Sequence, residues 1–311
     1  MSKPRENLKL RKKGAWKKEL SFAVVHLLPL AALLTGATMF DWIVCAILYV
    51  SRMFWVTGGY HRYFAHRSYN TSRWFQFCIA FFSQTSAQKG ALWWASHHRH
   101  HHRNSDTLKD PHSMLHFGFW YSHVGWIIGS DFKKTDFKVI SDYSKYPELV
   151  WLNKYYLVPP VLLALTAMAL GGIFNGGSIL AMFTSAGFST LFIGFFLSTI
   201  FVYHATFSIN SIMHKFGRQR YETGDESKNS VWLALLTLGE GWHNNHHYYE
   251  SSARQGFFWW EIDLTYYGLK FMSMLGLIWD LKPVPKHIKM SKNREEARQM
   301  KAQLKAERAA A

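Results

Sequence analysis

Residues 155–213 read YYLVPPVLLALTAMALGGIFNGGSILAMFTSAGFSTLFIGFFLSTIFVYHATFSINSIM, without one Asp, Glu, Lys or Arg. Charge-free runs of this length are rare in soluble folds, and this one accommodates two membrane crossings of about 20 residues each. Gly171, Gly172, Gly176 and Gly177 flank Ile173-Phe174-Asn175 and predict a tight turn between them. Toward the N-terminus, Ser21–Phe40 is also charge-free, and Trp42–Thr57 is apolar apart from Arg52. An arginine placed near the membrane edge is expected to snorkel to the headgroups. The expected fold is an all-α integral membrane protein with transmembrane helices at roughly 21–40, 42–59, 155–173 and 178–204. Residues 1–20 form a basic tail, 21–285 the main domain and 286–311 a charged tail.

The chain carries 36 Lys and Arg against 20 Asp and Glu. Eight of the basic residues lie in MSKPRENLKLRKKGAWKK, whereas the short loops near Asp41 and at 171–177 have none. The positive-inside rule then puts both termini and the 60–154 segment in the cytoplasm. Basic tails beside apolar segments suit anionic headgroups, so membrane lipids rather than nucleic acid are the expected partner of this charge. No small-residue cleavage site precedes Asp41, so a cleavable signal peptide is not expected. Cys45 falls in a crossing and Cys78 in a cytoplasmic segment, so a disulfide framework is not expected.

Three histidine boxes lie on that cytoplasmic side: HRYFAH (His61, His66), HRHHH (His98, His101, His102) and HNNHH (His243, His246, His247). Neutral imidazole is a common transition-metal ligand, and eight are too many for one ion and about right for two. Positions i, i+3 and i+4 share one face of an α-helix, so each of the last two boxes is expected to present a triplet. The i, i+5 pair His61/His66 does not share an α-helical face. It fits a corner where a helix ends, with Gly58 and Gly59 marking the break.

The His-Glu-x-x-His pattern of zinc proteases is absent, since Arg99 and Asn244 follow the first histidine of their boxes. Zinc has no redox role, whereas iron activates O2 for attack on an unactivated C–H bond. Such a site at a membrane surface implies a substrate that lives in lipid. Asp106, Asp110, Asp225 and Glu240 are candidates to orient the rings through hydrogen bonds. At helical spacing His97 and His100 point away from the ligand face.

HRYFAHRSY, WWASHHRHHHRNSD, DPHS, SHVGW, NSIMH and GEGWHNNHH together resemble the membrane-bound fatty-acid desaturases, in particular the bacterial branch of the stearoyl-CoA Δ9-desaturase group. The resemblance spans roughly residues 20–285. It implies four transmembrane helices carrying a cytosolic helical cap with a diiron site, in a bacterial inner membrane. It implies insertion of a cis double bond into a fatty acyl chain, with O2 as co-substrate and two iron ions as cofactor. In the family's NSIMH motif the histidine, here His214, is a ninth ligand, and the asparagine, here Asn210, holds a metal-bound water. Gln88, Trp94 and Thr206 match residues that line the bend of the acyl tunnel. His204 lies outside the motif and reads as structural.

The chain departs from the animal acyl-CoA enzymes after SHVGW, where Ile127-Ile128-Gly129-Ser130-Asp131 lacks a basic pair; Lys89, Lys133 and Lys134 are the candidate replacements. His97 also stands where an acidic residue precedes the second box. The acyl carrier is therefore open among CoA, acyl carrier protein and phospholipid. Electrons are expected from a separate protein, a ferredoxin, a flavodoxin or a b-type cytochrome with its reductase. Two other readings remain at this level: a related diiron hydroxylase or ketolase, and a metal transporter or metal-binding membrane protein.

Overall fold

The computed structural model describes residues 15–128 and 134–310; tail residues 1–14 and the segment 129–133, with Lys133, lie outside the described residues. Among the described residues three helices are long and apolar enough to cross a membrane: Met39–Ala65, Val158–Gly176 and Ser185–Ser211. The segment expected to cross at 21–40 is instead broken. Helix α1 (Ala15–Leu27) passes through a 3-10 turn (Leu28–Ala31) into the short α2 (Ala32–Thr35). Pro29 supplies no amide to an α-helical ladder, and Gly36 at φ 78° ends the run, so the apolar Leu20–Thr35 stretch is shorter than the other three.

Helix α3 (Met39–Trp55) starts on a capping box in which Thr38 and Asp41 satisfy each other's free amides, and it continues as a π-helix, Val56–Ala65. Helices α4 (Arg73–Gln84) and α5 (Ala91–Asn104) belong to the cap. Helix α6 (Val158–Gly176) accepts Pro159 and Pro160 in its first turn, where missing amides cost nothing, and stops at left-handed Gly177. The turn therefore falls after Gly177 rather than at Gly171. Gly171 and Gly172 lie inside the helix for another reason. A Cβ on Gly171 would sit 2.2 Å from Thr190 Oγ1, and one on Gly172 would sit 2.4 Å from Met182 N. The bare backbone lets the returning chain pack directly on α6.

The last long helix is α-helical at both ends, with a π-helical middle at Thr190–Leu197 and a final segment α7 (Ser198–Ser211). Asp41 at the start of α3 accepts from Asn175 at the end of α6 (2.9 Å) and from Thr190, which ties one end of the bundle together.

Arg52 does not snorkel. It is 1 % exposed and donates to Leu48 O (3.1 Å), Thr199 Oγ1 (2.6 Å), Phe195 O (3.3 Å) and Ser198 Oγ, so α3 and the 185–211 helix share a guanidinium. Burial costs less here than leaving those donors unpaired in lipid.

At the other end the cap packs around Tyr60, Phe64, Ile79, Leu92 and Leu269. A two-residue antiparallel pairing, Asn70–Thr71 with Ile278–Trp279, joins its early and late parts. Helices α8 (Val231–Leu236), α9 (His243–Tyr248) and α10 (Leu264–Met274) complete it.

Candidate metal centre and acyl cavity

The π-helix changes the reading of the first box. The amide of His66 bonds the carbonyl of His61 (3.1 Å), a five-residue step, so five residues along is one turn along. The two rings lie 4.8 Å apart on the same side. The chain does leave the helix at His66, but the glycines do not break it. Gly59 is buried against α4, where a Cβ would meet Ser83 Oγ at 2.1 Å and Ile79 Cγ2 at 2.9 Å.

Nine imidazoles converge in two sets. His61, His66, His98, His102 and His246 form one; His101, His214, His243 and His247 form the other. Within each set the ligand atoms lie within 4.8 Å of one another. The one-face triplets expected from α-helical spacing are thus divided. In α5, His98 and His102 join the first set and His101 the second; in α9, His246 joins the first and His243 and His247 the second. A 100° sector is wide enough to serve two neighbouring centres, and spacing alone does not say where it is cut.

Carboxylates hold the far side of most rings. Nδ1 of His61 meets Glu240 (2.6 Å), that of His101 meets Asp110 (3.0 Å), that of His214 meets Asp106 (2.9 Å) and that of His247 meets Asp225 (2.6 Å). All four carboxylates singled out in the sequence sit on ligand rings. Glu250 is a fifth, 3.6 Å from His66 Nδ1 and 3.2 Å from His102 Nδ1. It was overlooked although it stands three residues past His247, the same kind of proximity that marked Asp106. Burial alone would raise the Asp225 carboxyl. The His247 ring and the hydroxyls of Ser227 and Thr223 outweigh it and hold that group below the usual carboxylate range. Burial, then mutual proximity, pushes His98, His102, His243 and His246 well below the ordinary histidine value, so these rings are neutral.

The carboxylates on Nδ1 of His61, His101, His214 and His247 favour the tautomer with the proton there, which turns the Nε2 lone pair of each toward the other rings. His61 and His246 Nε2 are 3.0 Å apart, His66 and His98 2.9 Å, His98 and His102 2.9 Å, His102 and His246 3.0 Å, and His214 and His243 3.0 Å. Nitrogens ~2.1 Å from a shared ion lie about 3.0 Å apart at right angles and about 4.2 Å apart when opposed. The donor set therefore fits two metal ions. Five imidazoles exceed the tetrahedral set that structural zinc prefers.

The remaining histidines divide as expected or join other networks. His100 pairs with Asp136 at the surface (3.0 Å), while His97 is buried, with Nδ1 donating to Trp93 O (2.8 Å). His204 bonds His26 on α1 (3.1 Å) and His123 (3.0 Å), outside both sets. His112, from DPHS, was not assigned a role; it packs on His101 with ring centroids 4.3 Å apart and on Trp126 at 4.9 Å.

A cavity of about 370 Å3 reaches the first set. Gln88, Trp94 and Thr206 all line it, with His98 and Asn210 at its metal end. Gln88 ties the other two: its amide donates to Thr206 Oγ1 (2.9 Å) and its carbonyl accepts from Trp94 Nε1 (3.3 Å). Trp94 also stacks on the His98 ring at 4.9 Å. Ala87 and Lys89, on either side of Gln88, both have positive φ (58° and 68°), a costly conformation for side-chain-bearing residues that aims Gln88 inward. The rest of the wall is largely apolar, including Phe22, Val25, Ile127, Ile128 and Leu157; among the described residues Lys89 is the one Lys or Arg that lines it, and Lys134 is exposed and not part of it.

Residues 37–270 match the sequence profile of the family described as fatty acid desaturase. The chain is 36 % identical over 277 residues to an sn-1 stearoyl-lipid 9-desaturase of Synechocystis sp., covering 87 % of this chain and 81 % of that protein. It is 34 % identical to an sn-1 stearoyl-lipid 9-desaturase of Anabaena variabilis, covering 86 % and 93 %. An acyl-CoA 5-desaturase of Anemone leveillei is 35 % identical, with 85 % and 78 % covered. Motifs, paired histidine sets and profile agree, and the chain belongs to the fatty acid desaturase family.

Proposed function

We propose that the protein is an O2-dependent Δ9 acyl desaturase that acts on acyl chains carried by membrane lipids and holds two iron ions. The observation that carries this reading is the continuity of the cavity with the first histidine set: one wall is fixed by the Gln88–Trp94–Thr206 hydrogen bonds and ends on His98 and Asn210. His61, His66, His98, His102 and His246 would hold one iron; His101, His214, His243 and His247 the other, with Asn210 joining through a water molecule. When bound, an iron pair with O2 would supply the oxidising power to remove two hydrogens from adjacent carbons. The chain's own residues do the positioning. The apolar wall excludes water and aligns the acyl chain, and the tied Gln88 amide fixes the bend that selects one C–C bond. Carboxylates on Nδ1 keep the rings oriented and electron-rich.

The relatives named as stearoyl-lipid 9-desaturases support both Δ9 and a lipid-borne substrate. So does a cavity wall whose described residues include Ile127, Ile128, Tyr156 and Leu157 and, besides Lys89, no Lys or Arg suited to CoA phosphates. In this reading Leu20–Thr35 is the fourth membrane segment, short and broken, and both termini and the metal centre face the cytoplasm of a bacterial inner membrane. The asymmetry of Lys and Arg supports that orientation.

The test is gas chromatography of lipids from cells that lack their own desaturase and express this chain or its His98→Ala variant. New monounsaturated chains from the parent and none from the variant are expected. Hydroxylated chains would instead identify a hydroxylase.

A further inference from the structure

Among the nine rings His66, His98 and His102 are partly exposed and the other six are buried; His98 lines the acyl cavity, and His66 and His102 do not. These two line a second opening of about 220 Å3 that shares no lining residue with the first. Its rim is cationic. Arg67 has 61 % of its side chain exposed, with Nη1 3.5 Å from Asp142 Oδ2, and adopts φ 50°, off the end of the π-helix; Arg103 is also exposed. Arg99 is structural: its guanidinium is forked onto Asp142 (2.9 and 2.8 Å) and donates to the Phe64 and Ala65 carbonyls, which braces the loop carrying Arg67. Glu250 stands in the opening, half exposed, and reaches the Nδ1 atoms of both rings.

The desaturase reading leaves a supply problem. Removing two hydrogens from the chain and reducing one O2 to two waters consumes two further electrons and two protons, which neither substrate provides. Electron transfer falls off steeply with distance, so the carrier must approach the ligand rings, and the acyl cavity is filled by substrate. We propose that the Arg67/Arg103 rim over His66 and His102 is the docking surface for an acidic one-electron carrier protein. The carrier is oxidised by one electron at each of two visits, and each electron enters the first histidine set through the His66 and His102 rings. This rests on the desaturase reading and adds the place of entry. Opposite charge steers such a partner and sets its register, and the rim faces it with two guanidiniums on a strongly basic chain.

The test uses the full-length, iron-loaded protein in neutral-lipid nanodiscs and an acidic [2Fe–2S] ferredoxin with its reductase. Ferredoxin affinity is measured by thermophoresis, and double-bond formation is driven either by ferredoxin or by dithionite. Arg67→Glu with Arg103→Glu is expected to weaken ferredoxin binding about tenfold or more and to flatten its dependence on salt. The ratio of ferredoxin-driven to dithionite-driven rate falls in parallel, and Arg67→Lys with Arg103→Lys restores both. Unchanged affinity and an unchanged ratio overturn the docking surface. So does a loss of affinity for phosphatidylglycerol vesicles with none for ferredoxin. If dithionite yields no double bond even in the parent, the desaturase reading fails, a separate result from the binding measurement.

Discussion

Replacing Asp225 by Asn separates the two histidine sets. Asp225 is 2.6 Å from His247 Nδ1, its side chain is 8 % exposed, and Thr223 and Ser227 fix its rotamer by donating to Oδ1. The substitution keeps the shape and removes the charge that makes the ring a strong donor. Loss of such an outer partner lowers metal affinity by about 10–100-fold, or about 1.4–2.8 kcal/mol. The effect should fall on the second set, because His247 stands there and among the described residues Asp225 hydrogen-bonds no ring of the first. Glu250→Gln is the internal comparison. Its carboxylate serves the first set but is 51 % exposed, where solvent screening leaves about 0–1 kcal/mol, under about fivefold in affinity. The assay is iron per chain by plasma emission spectrometry after dialysis against graded chelator. Asp225→Asn should lose one iron at a chelator concentration that leaves the parent with two, and Glu250→Gln should track the parent. Simultaneous loss of both irons, or a larger effect from Glu250→Gln, would refute the assignment of His247 and Asp225 to a separate ion.

Thr206→Val removes the acceptor of the Gln88 amide at 2.9 Å and leaves a polar group unpaired in the cavity wall. The rate should drop by up to about a hundredfold and the double bond should spread to neighbouring positions, read by mass spectrometry of derivatised products. Gly59→Ala forces a methyl into Ser83 and Ile79 and should cost about 1–3 kcal/mol, seen as a lower unfolding temperature in detergent. Arg52→Met should be neutral or stabilising in the same assay, because Ser198 and Thr199 already bond the Phe195 carbonyl (3.0 and 2.7 Å) and Met removes a buried charge with no carboxylate partner among the described residues.

The histidine spacings were legible because metal ligation needs one donor type at close quarters, and few other constraints produce His-x-x-His-His twice. Four of the five carboxylates behind the rings, all but Glu250, were legible for the same reason: each stands close to a box in sequence or on a loop between boxes. Three features were not. The π-helix at Val56–Ala65 packs Gly59 on α4, a tertiary contact with no local signature, and an α-helical wheel misplaces His66 relative to His61. The division of each triplet between two sets depends on the rotation of α5 and α9 in the cap. Arg52 could have faced headgroups or a neighbouring helix, and only the hydroxyls of Ser198 and Thr199, almost 150 residues away, decide it. The break at Pro29 and Gly36 was visible in the sequence, but an apolar run masks its own interruption when charge is the only criterion applied.

The central claim is that two hydrogens leave one C–C bond of a lipid-borne acyl chain and that neither oxygen atom enters the product. The most direct measurement is one turnover series with oxygen-18 gas and a stearoyl glycerolipid in nanodiscs, followed by mass spectrometry of the chain. The account predicts a chain lighter by two hydrogens, unsaturated between the ninth and tenth carbons and free of the label. A chain that carries oxygen-18 at a hydroxyl would contradict it.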